Sequence, residues 1–152
     1  MHRRPIAALD VGRKRIGIAV CPADGLAAYP VATIERRSLA QDLKKLAGEL
    51  CSRDVGRVVV GLPLNMDGSE GPNARSVRIF AERIGAATGI PVELFDERLT
   101  SFEAEQRLGA SSRRGAKNKH AVDAVAAAVI LEGWLARCAD CDGPGRDPAK
   151  PQ

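Results

Sequence analysis

The stretch IAALDVGRKRIGIAV, Ile6 to Val20, decides how the chain folds. Two β-rich runs, Ile6–Val11 and Arg15–Val20, are separated by Gly12-Arg13-Lys14, the pattern of a β-hairpin. Period-two alternation puts Asp10 on the face of Ile6 and Ala8. A carboxylate among apolar neighbours is costly unless it is hydrogen-bonded, protonated or matched by a cation. The plainer alternative is a strand-end aspartate that bonds the turn at Gly12.

Working outward, Ala28–Ile34 reads as a weaker third strand, with Pro30 favouring an edge or an early position. Ser38 can cap a helix over Leu39–Arg53, where Leu39, Leu43, Leu46 and Leu50 recur at helical spacing. Val58–Gly61 reads as a strand buried on both faces, followed by a Gly/Pro/Asn-rich loop from Leu62 to Pro72. Asn73 can cap a second helix reaching about Thr88, with Val77, Phe80, Ala81 and Ile84 inside and Gly89 as its stop. Val92–Phe95 is the next strand, and Thr100 with Glu103 has capping-box spacing for a helix through Leu108. Gly109–His120 is polar and basic, a mobile loop by composition, and a last helix runs over about Ala121–Arg137.

Three strands, then helix–strand–helix–strand, then helices predict an α/β fold: a mixed sheet opened by an antiparallel meander, with helices on both faces. Residues 1–137 form the expected domain. The Pro-rich, weakly apolar residues 138–152 are the expected disordered tail.

Composition narrows the function classes. Aromatics make up 3% of the 152 residues, which argues against base stacking on an aromatic platform. The formal charge of +4 suits a phosphate-rich partner without requiring one. No apolar run reaches the roughly 18 residues of a membrane span, and the N-terminus lacks a signal-peptide pattern, so a cytoplasmic protein is expected. Cys21, Cys51, Cys138 and Cys141 are too spread for a disulfide framework, and the lone Cys138/Cys141 pair has no second ligand pair for zinc.

Two further acidic positions stand out. Asp123 is the only polar residue between Ala121 and Leu131, and it heads a stripe continued by Ala127, Ile130 and Trp134. The helix dipole alone would favour an aspartate in a first turn, but a helix apolar all round fits that explanation poorly. Asp96-Glu97-Arg98 directly follows a strand; one or both acids can reach the sheet end of Asp10 while Arg98 pairs with the other. An ordinary surface ion pair would look the same. Grouped carboxylates suit hard divalent cations such as Mg2+ or Mn2+, and two such ions about 4 Å apart can bind both the attacking and leaving oxygens of a phosphodiester. His2 and His120 are the only histidines, which counts against a His-rich zinc hydrolase.

Four motifs in order, Asp10-Val11-Gly12 with Arg15-Ile16-Gly17-Ile18-Ala19-Val20, Val59-Val60-Gly61-Leu62-Pro63-Leu64-Asn65-Met66-Asp67-Gly68, Asp96-Glu97-Arg98-Leu99-Thr100-Ser101 and Val122-Asp123-Ala124-Val125-Ala126-Ala127, resemble the bacterial YqgF family. That family sits in the RNase H-like superfamily beside RuvC-type Holliday junction resolvases. The resemblance covers about Ile6 to Leu135. It implies a five-stranded mixed sheet, a catalytic and metal-binding set on Asp10, Glu97 and Asp123, Mg2+ or Mn2+ as cofactor, and maturation of the 5′ end of pre-16S rRNA or resolution of branched DNA. The extension from Cys138 lies outside the pattern.

Candidate substrate contacts are Arg13, Lys14 and Arg15 past Asp10, Asn65 in the glycine-rich loop, Arg98 and Thr100 beside Glu97, and Arg113, Arg114, Lys117 and Lys119 before Asp123. A junction resolvase would need two sites and hence a homodimer, whereas an RNA nuclease can act as a monomer. Two other readings compete: a catalytically silent RNA-binding ribosome-assembly factor, and a sugar-kinase-like phosphotransferase, for which the chain is short.

Overall fold

The computed structural model describes residues 4–100 and 119–142. Strands β1 (Ile6–Val11), β2 (Arg15–Cys21) and β3 (Tyr29–Glu35) form the meander. Helix α1 (Leu39–Ser52), β4 (Arg57–Leu62), α2 (Pro72–Thr88) and β5 (Val92–Asp96) follow, and α3 (Lys119–Asp142) ends the described chain. The sheet order is β3-β2-β1-β4-β5. β1, β2 and β3 pair antiparallel, while β4 is parallel to both β1 and β5. This is the five-stranded mixed sheet expected, with α1 and α2 on one face and α3 on the other.

Alternation along the strands divides two cores. Leu9, Ile16, Ile18, Val58 and Val60 face α1 and α2, where they meet Leu46, Leu50, Phe80 and Ile84. Ile6, Ala8, Ala19 and Val59 face α3 and meet Ala127, Ile130, Leu131 and Trp134. The Asp123 stripe read from sequence is thus the buried stripe of α3. Pro30 does sit on an edge strand, and the β2–β3 register slips beside it, where Ile18 pairs with Ala32 but Ala19 with Pro30.

Helix ends differ in places from the sequence reading. Ser38 caps α1, its Oγ accepting from the Gln41 amide at 3.3 Å. Helix α2 starts earlier than an Asn73 cap would give: Gly71 is its cap and Pro72 its first residue. Proline belongs there because its missing N–H is one for which the first turn of a helix offers no intrahelical acceptor. Gly89 closes α2 in the left-handed region at φ 72°, as expected of a terminal glycine. Helix α3 begins before Ala121 and continues past Arg137 to Asp142. The helix expected from Thr100 to Leu108, most of the basic loop before α3, and the tail beyond Asp142 lie outside the described residues.

Candidate active site

Asp10 is the penultimate residue of β1, on the α3 face. The strand registers place a glycine on each side of it. Gly17 is its direct partner on β2. On β4, Gly61 follows Val60, the partner of Leu9.

Neither glycine position has room for a side chain. A Cβ at Gly17 would fall 1.9 Å from the backbone carbonyl oxygen of Asp123, so α3 lies backbone-to-backbone on β2 at the level of Asp10. A Cβ at Gly61 would fall 2.8 Å from Glu97 Oε1 and 2.5 Å from Ile130 Cδ1. Two missing side chains therefore let Asp123 and Glu97 approach Asp10 from opposite sides.

The electrostatics report that approach. Burial, and then the charge of Asp123, push the Asp10 carboxyl above its usual range. Burial, then the charges of Asp10 and Asp96, push Glu97 up to about 7. Asp10 thus feels an acid on each side. Among the described residues, however, no three acidic, histidine or cysteine side chains come close enough together to hold one metal ion. Asp123 is engaged elsewhere, its Oδ2 accepting from Arg15 Nε at 2.5 Å.

The Asp96-Glu97-Arg98 motif divides its labour as the sequence suggested. A single 3-10 turn, Glu97–Leu99, follows β5. Arg98 pairs with Asp96, Nη2 donating to Oδ2 at 2.7 Å, and this holds the Asp96 carboxyl below its usual range. Glu97 is left facing Gly61. Thr100 donates its hydroxyl to the Glu97 carbonyl at 2.9 Å and closes the turn.

Arg98 also donates from Nη1 to the Met66 carbonyl at 3.2 Å, which ties the loop after β4 to the end of β5. Inside that loop Asn65 donates to Ser69 Oγ at 3.0 Å, and Asp67 accepts from the Ser69 amide at 2.9 Å. Asn65 and Arg98 are exposed but already hydrogen-bonded within the protein, so their first role here is to shape the loop.

Arg13 and Lys14 are exposed on the hairpin turn. Arg113, Arg114 and Lys117 lie outside the described residues. Lys119 opens α3, but its side chain also falls outside the description.

Sequence reading missed Arg36 and Asp42. Asp42 is buried in the first turn of α1, where it accepts from the Arg37 amide at 2.9 Å and from Arg36 Nε at 3.3 Å. Arg36 lies over the Phe80 ring, donates from Nη1 to the Gly12 carbonyl at 3.0 Å, and bonds the Lys14 carbonyl through its amide at 2.8 Å. Together they fix the turn that carries Arg13 and Lys14. The available signal was an Arg-Arg pair just ahead of a Ser-capped helix with an aspartate in its first turn.

A family model described as RuvX, Holliday junction resolvase, matches residues 4–137. The chain belongs to the RuvX family. Relatives from Anaeromyxobacter sp. (strain K) and Crocosphaera subtropica (strain ATCC 51142 / BH68) both carry the name "Putative pre-16S rRNA nuclease". The first is 55% identical over 129 residues, covering 85% of this chain and 94% of its own. The second is 45% identical over 135 residues, covering 89% and 94%. Among solved structures, T. thermophilus RuvC in complex with Holliday junction substrate aligns with TM-score 0.57 at 16% identity, over 89% of this chain and 96% of that one. The fowlpox virus Holliday junction resolvase aligns with TM-score 0.53 at 13% identity, over 88% and 99%. The fold is that of these RNase H-like resolvases, as the sequence motifs implied.

Proposed function

We propose that this RuvX-family protein is a divalent-metal-dependent nuclease whose substrate is the 5′ leader of pre-16S rRNA. Asp10, Glu97 and Asp123 are its metal ligands. The observation that carries the reading is Asp10 set between two glycines, with Glu97 and Asp123 brought to either side. No structural need explains burying mutually repelling carboxylates at a sheet end, whereas a cation relieves them. Hard carboxylate oxygens and the absence of nearby imidazole or thiol donors among the described residues fit Mg2+ or Mn2+.

When bound, such ions activate water and stabilise a leaving oxygen. The chain supplies the rest. Asp10, paired with Gly17 on β2 and directly after Leu9, which pairs with Val60 on β4, is the fixed ligand. Glu97 is aimed by the Asp96–Arg98 pair and the Thr100 bond. Arg13 and Lys14, on a turn fixed by Arg36, are placed to take phosphates flanking the scissile bond. The loop of Asn65 and Met66, pinned by Arg98, borders the same sheet end.

The relatives' name supports the RNA substrate. The family's description and the solved neighbours support a second reading, cleavage of four-way DNA junctions, which would require a dimer. The test offers both substrates, a pre-16S 5′-leader RNA and a four-way DNA junction, to wild type, Asp10→Asn and Asp123→Asn with Mg2+ or Mn2+. RNA cleavage lost in both variants is the expected result. Cleavage of the junction alone selects the resolvase. Cleavage of neither, with RNA binding intact, leaves a silent assembly factor.

A further inference from the structure

The sequence groups Arg15 with Arg13 and Lys14 as phosphate contacts, yet the three sit differently. Arg13 and Lys14 are exposed on the turn, while Arg15 starts β2 and points its guanidinium at Asp123. The side chains of the pair are about a quarter exposed, 25% and 24%, so solvent screens them only partly. The contact follows from the fold. Arg15 and Gly17 lie on the same face of β2, and the Gly17 approach fixes the Asp123 backbone two positions along that strand.

We propose that Arg15 is a cation-released latch: it holds Asp123 until a divalent cation takes that carboxylate, and the freed guanidinium then binds the substrate phosphate. The idea rests on the nuclease reading above. A dication drawn to Asp123 repels a guanidinium bonded to the same carboxylate, so loading the site costs the salt bridge. A phosphodiester arriving beside the ions offers Arg15 an anionic partner in exchange. Each ligand therefore lowers the cost of the other, and by linkage the coupling is reciprocal. The latch also accounts for Asp123 being engaged away from the other two acids while its backbone is already in place.

The experiment titrates Mn2+ calorimetrically into wild type, Arg15→Gln, Arg15→Lys, Lys14→Gln and Asp10→Asn. It then measures binding of a phosphorothioate RNA oligonucleotide, whose linkages resist hydrolysis, with and without Mn2+. Lys14→Gln removes one exposed charge next door and controls for general field effects, which salt near 0.15 M screens within about 8 Å.

Arg15→Gln should bind Mn2+ about 5-fold or more tighter than wild type. Lys14→Gln should gain about 2-fold or less, and Arg15→Lys should fall between. In wild type Mn2+ should strengthen oligonucleotide binding about 5-fold or more, and in Arg15→Gln that gain should shrink to half or less. Damage to the fold would weaken Mn2+ binding, the opposite sign.

Equal Mn2+ affinity in Arg15→Gln and Lys14→Gln, or an undiminished Mn2+ effect on oligonucleotide binding in Arg15→Gln, overturns the latch. If Asp10→Asn still loses Mn2+ in that case, the nuclease reading survives. Mn2+ binding that is absent from wild type, or indifferent to Asp10→Asn, removes both.

Discussion

The two faces of the sheet are built on opposite rules. Toward α1 and α2 the strands present Leu9, Ile16, Ile18, Val58 and Val60, large side chains that hold the helices off at ordinary packing distance. Toward α3 the same strands present Ile6 and Val59 at one end, but around Asp10 they present Ala8, Ala19, Gly17 and Gly61, and there the helix comes down onto the backbone. One face fills volume. The other removes it around Asp10, so that acids carried by β1, by the turn after β5 and by α3 approach one end of the sheet. On the proposed function, a single period-two alternation places the large-residue core on one face and the acids on the other.

The largest effect expected from breaking this division is Gly17→Ala. Its Cβ would meet the Asp123 carbonyl at 1.9 Å, and neither partner is a flexible side-chain end. Either α3 lifts or β2 bends, at a cost of about 3 kcal/mol, the upper end of the usual range for overpacking. Because Asp123 moves with α3, nuclease activity should vanish even where the protein stays folded. Thermal melting and a cleavage assay check the two halves. A folded Gly17→Ala protein with full activity would show that the close approach is not what positions Asp123.

Leu50→Ala probes the other face. Leu50 is fully buried in the core on the opposite face of the sheet from the acids, and its truncation should cost about 2–5 kcal/mol. Activity per folded molecule should stay near wild type, measured below the melting transition. An activity loss as deep as that of Gly17→Ala would mean that the two faces are coupled rather than separate.

Most of the separation was legible in the sequence, for definite reasons. The hairpin over Ile6–Val20 and the α3 stripe of Asp123, Ala127, Ile130 and Trp134 follow from periodicity, which burial enforces residue by residue. Asp10 and Asp123 stand out as carboxylates in apolar runs, whereas Glu97, one of two adjacent acids after a strand, is singled out only by the family resemblance. Gly17 and Gly61 carry a subtler signal, since a glycine inside a strand often marks where another backbone approaches. The Arg15–Asp123 pair could not be read locally, because the two residues are 108 positions apart and only the fold unites them. Asp42 was hidden differently, since an acid in a helical first turn is ordinary and its burial under Arg36 is a tertiary fact. The start of α2 is ambiguous in sequence, because Asn73 offers a side-chain cap while Gly71 caps the helix in the fold.

A smaller effect tests whether the acidic corner is strained without its cation. Glu97 ionises near 4.5 in an unfolded chain but only near 7 in place, so its folded value is raised. A raised carboxyl costs nothing below about pH 4.5, where both states are protonated, and the cost grows as pH rises to about 7. Glu97→Gln, in chelator, should therefore melt higher than wild type at pH 8, by about 2–5 °C, and match it at pH 4. A difference that does not change with pH would trace the effect to packing against Gly61 and Ile130 instead of charge.

The smallest effect comes from a second glycine, and it sharpens the comparison by changing sign. Gly48 lies in α1 on its exposed side, and a Cβ there meets nothing within 4 Å. No approach requires the missing side chain, so only the conformational entropy of the unfolded chain is at stake. Gly48→Ala should stabilise the protein by about 0.5–1 kcal/mol, visible as a higher denaturant midpoint with unchanged slope. The same chemical change at Gly17 should cost several times as much in the opposite direction. If Gly48→Ala destabilised instead, α1 would carry a constraint on its outer face, and the contrast between a glycine that makes room and one that merely occupies a helix would fail.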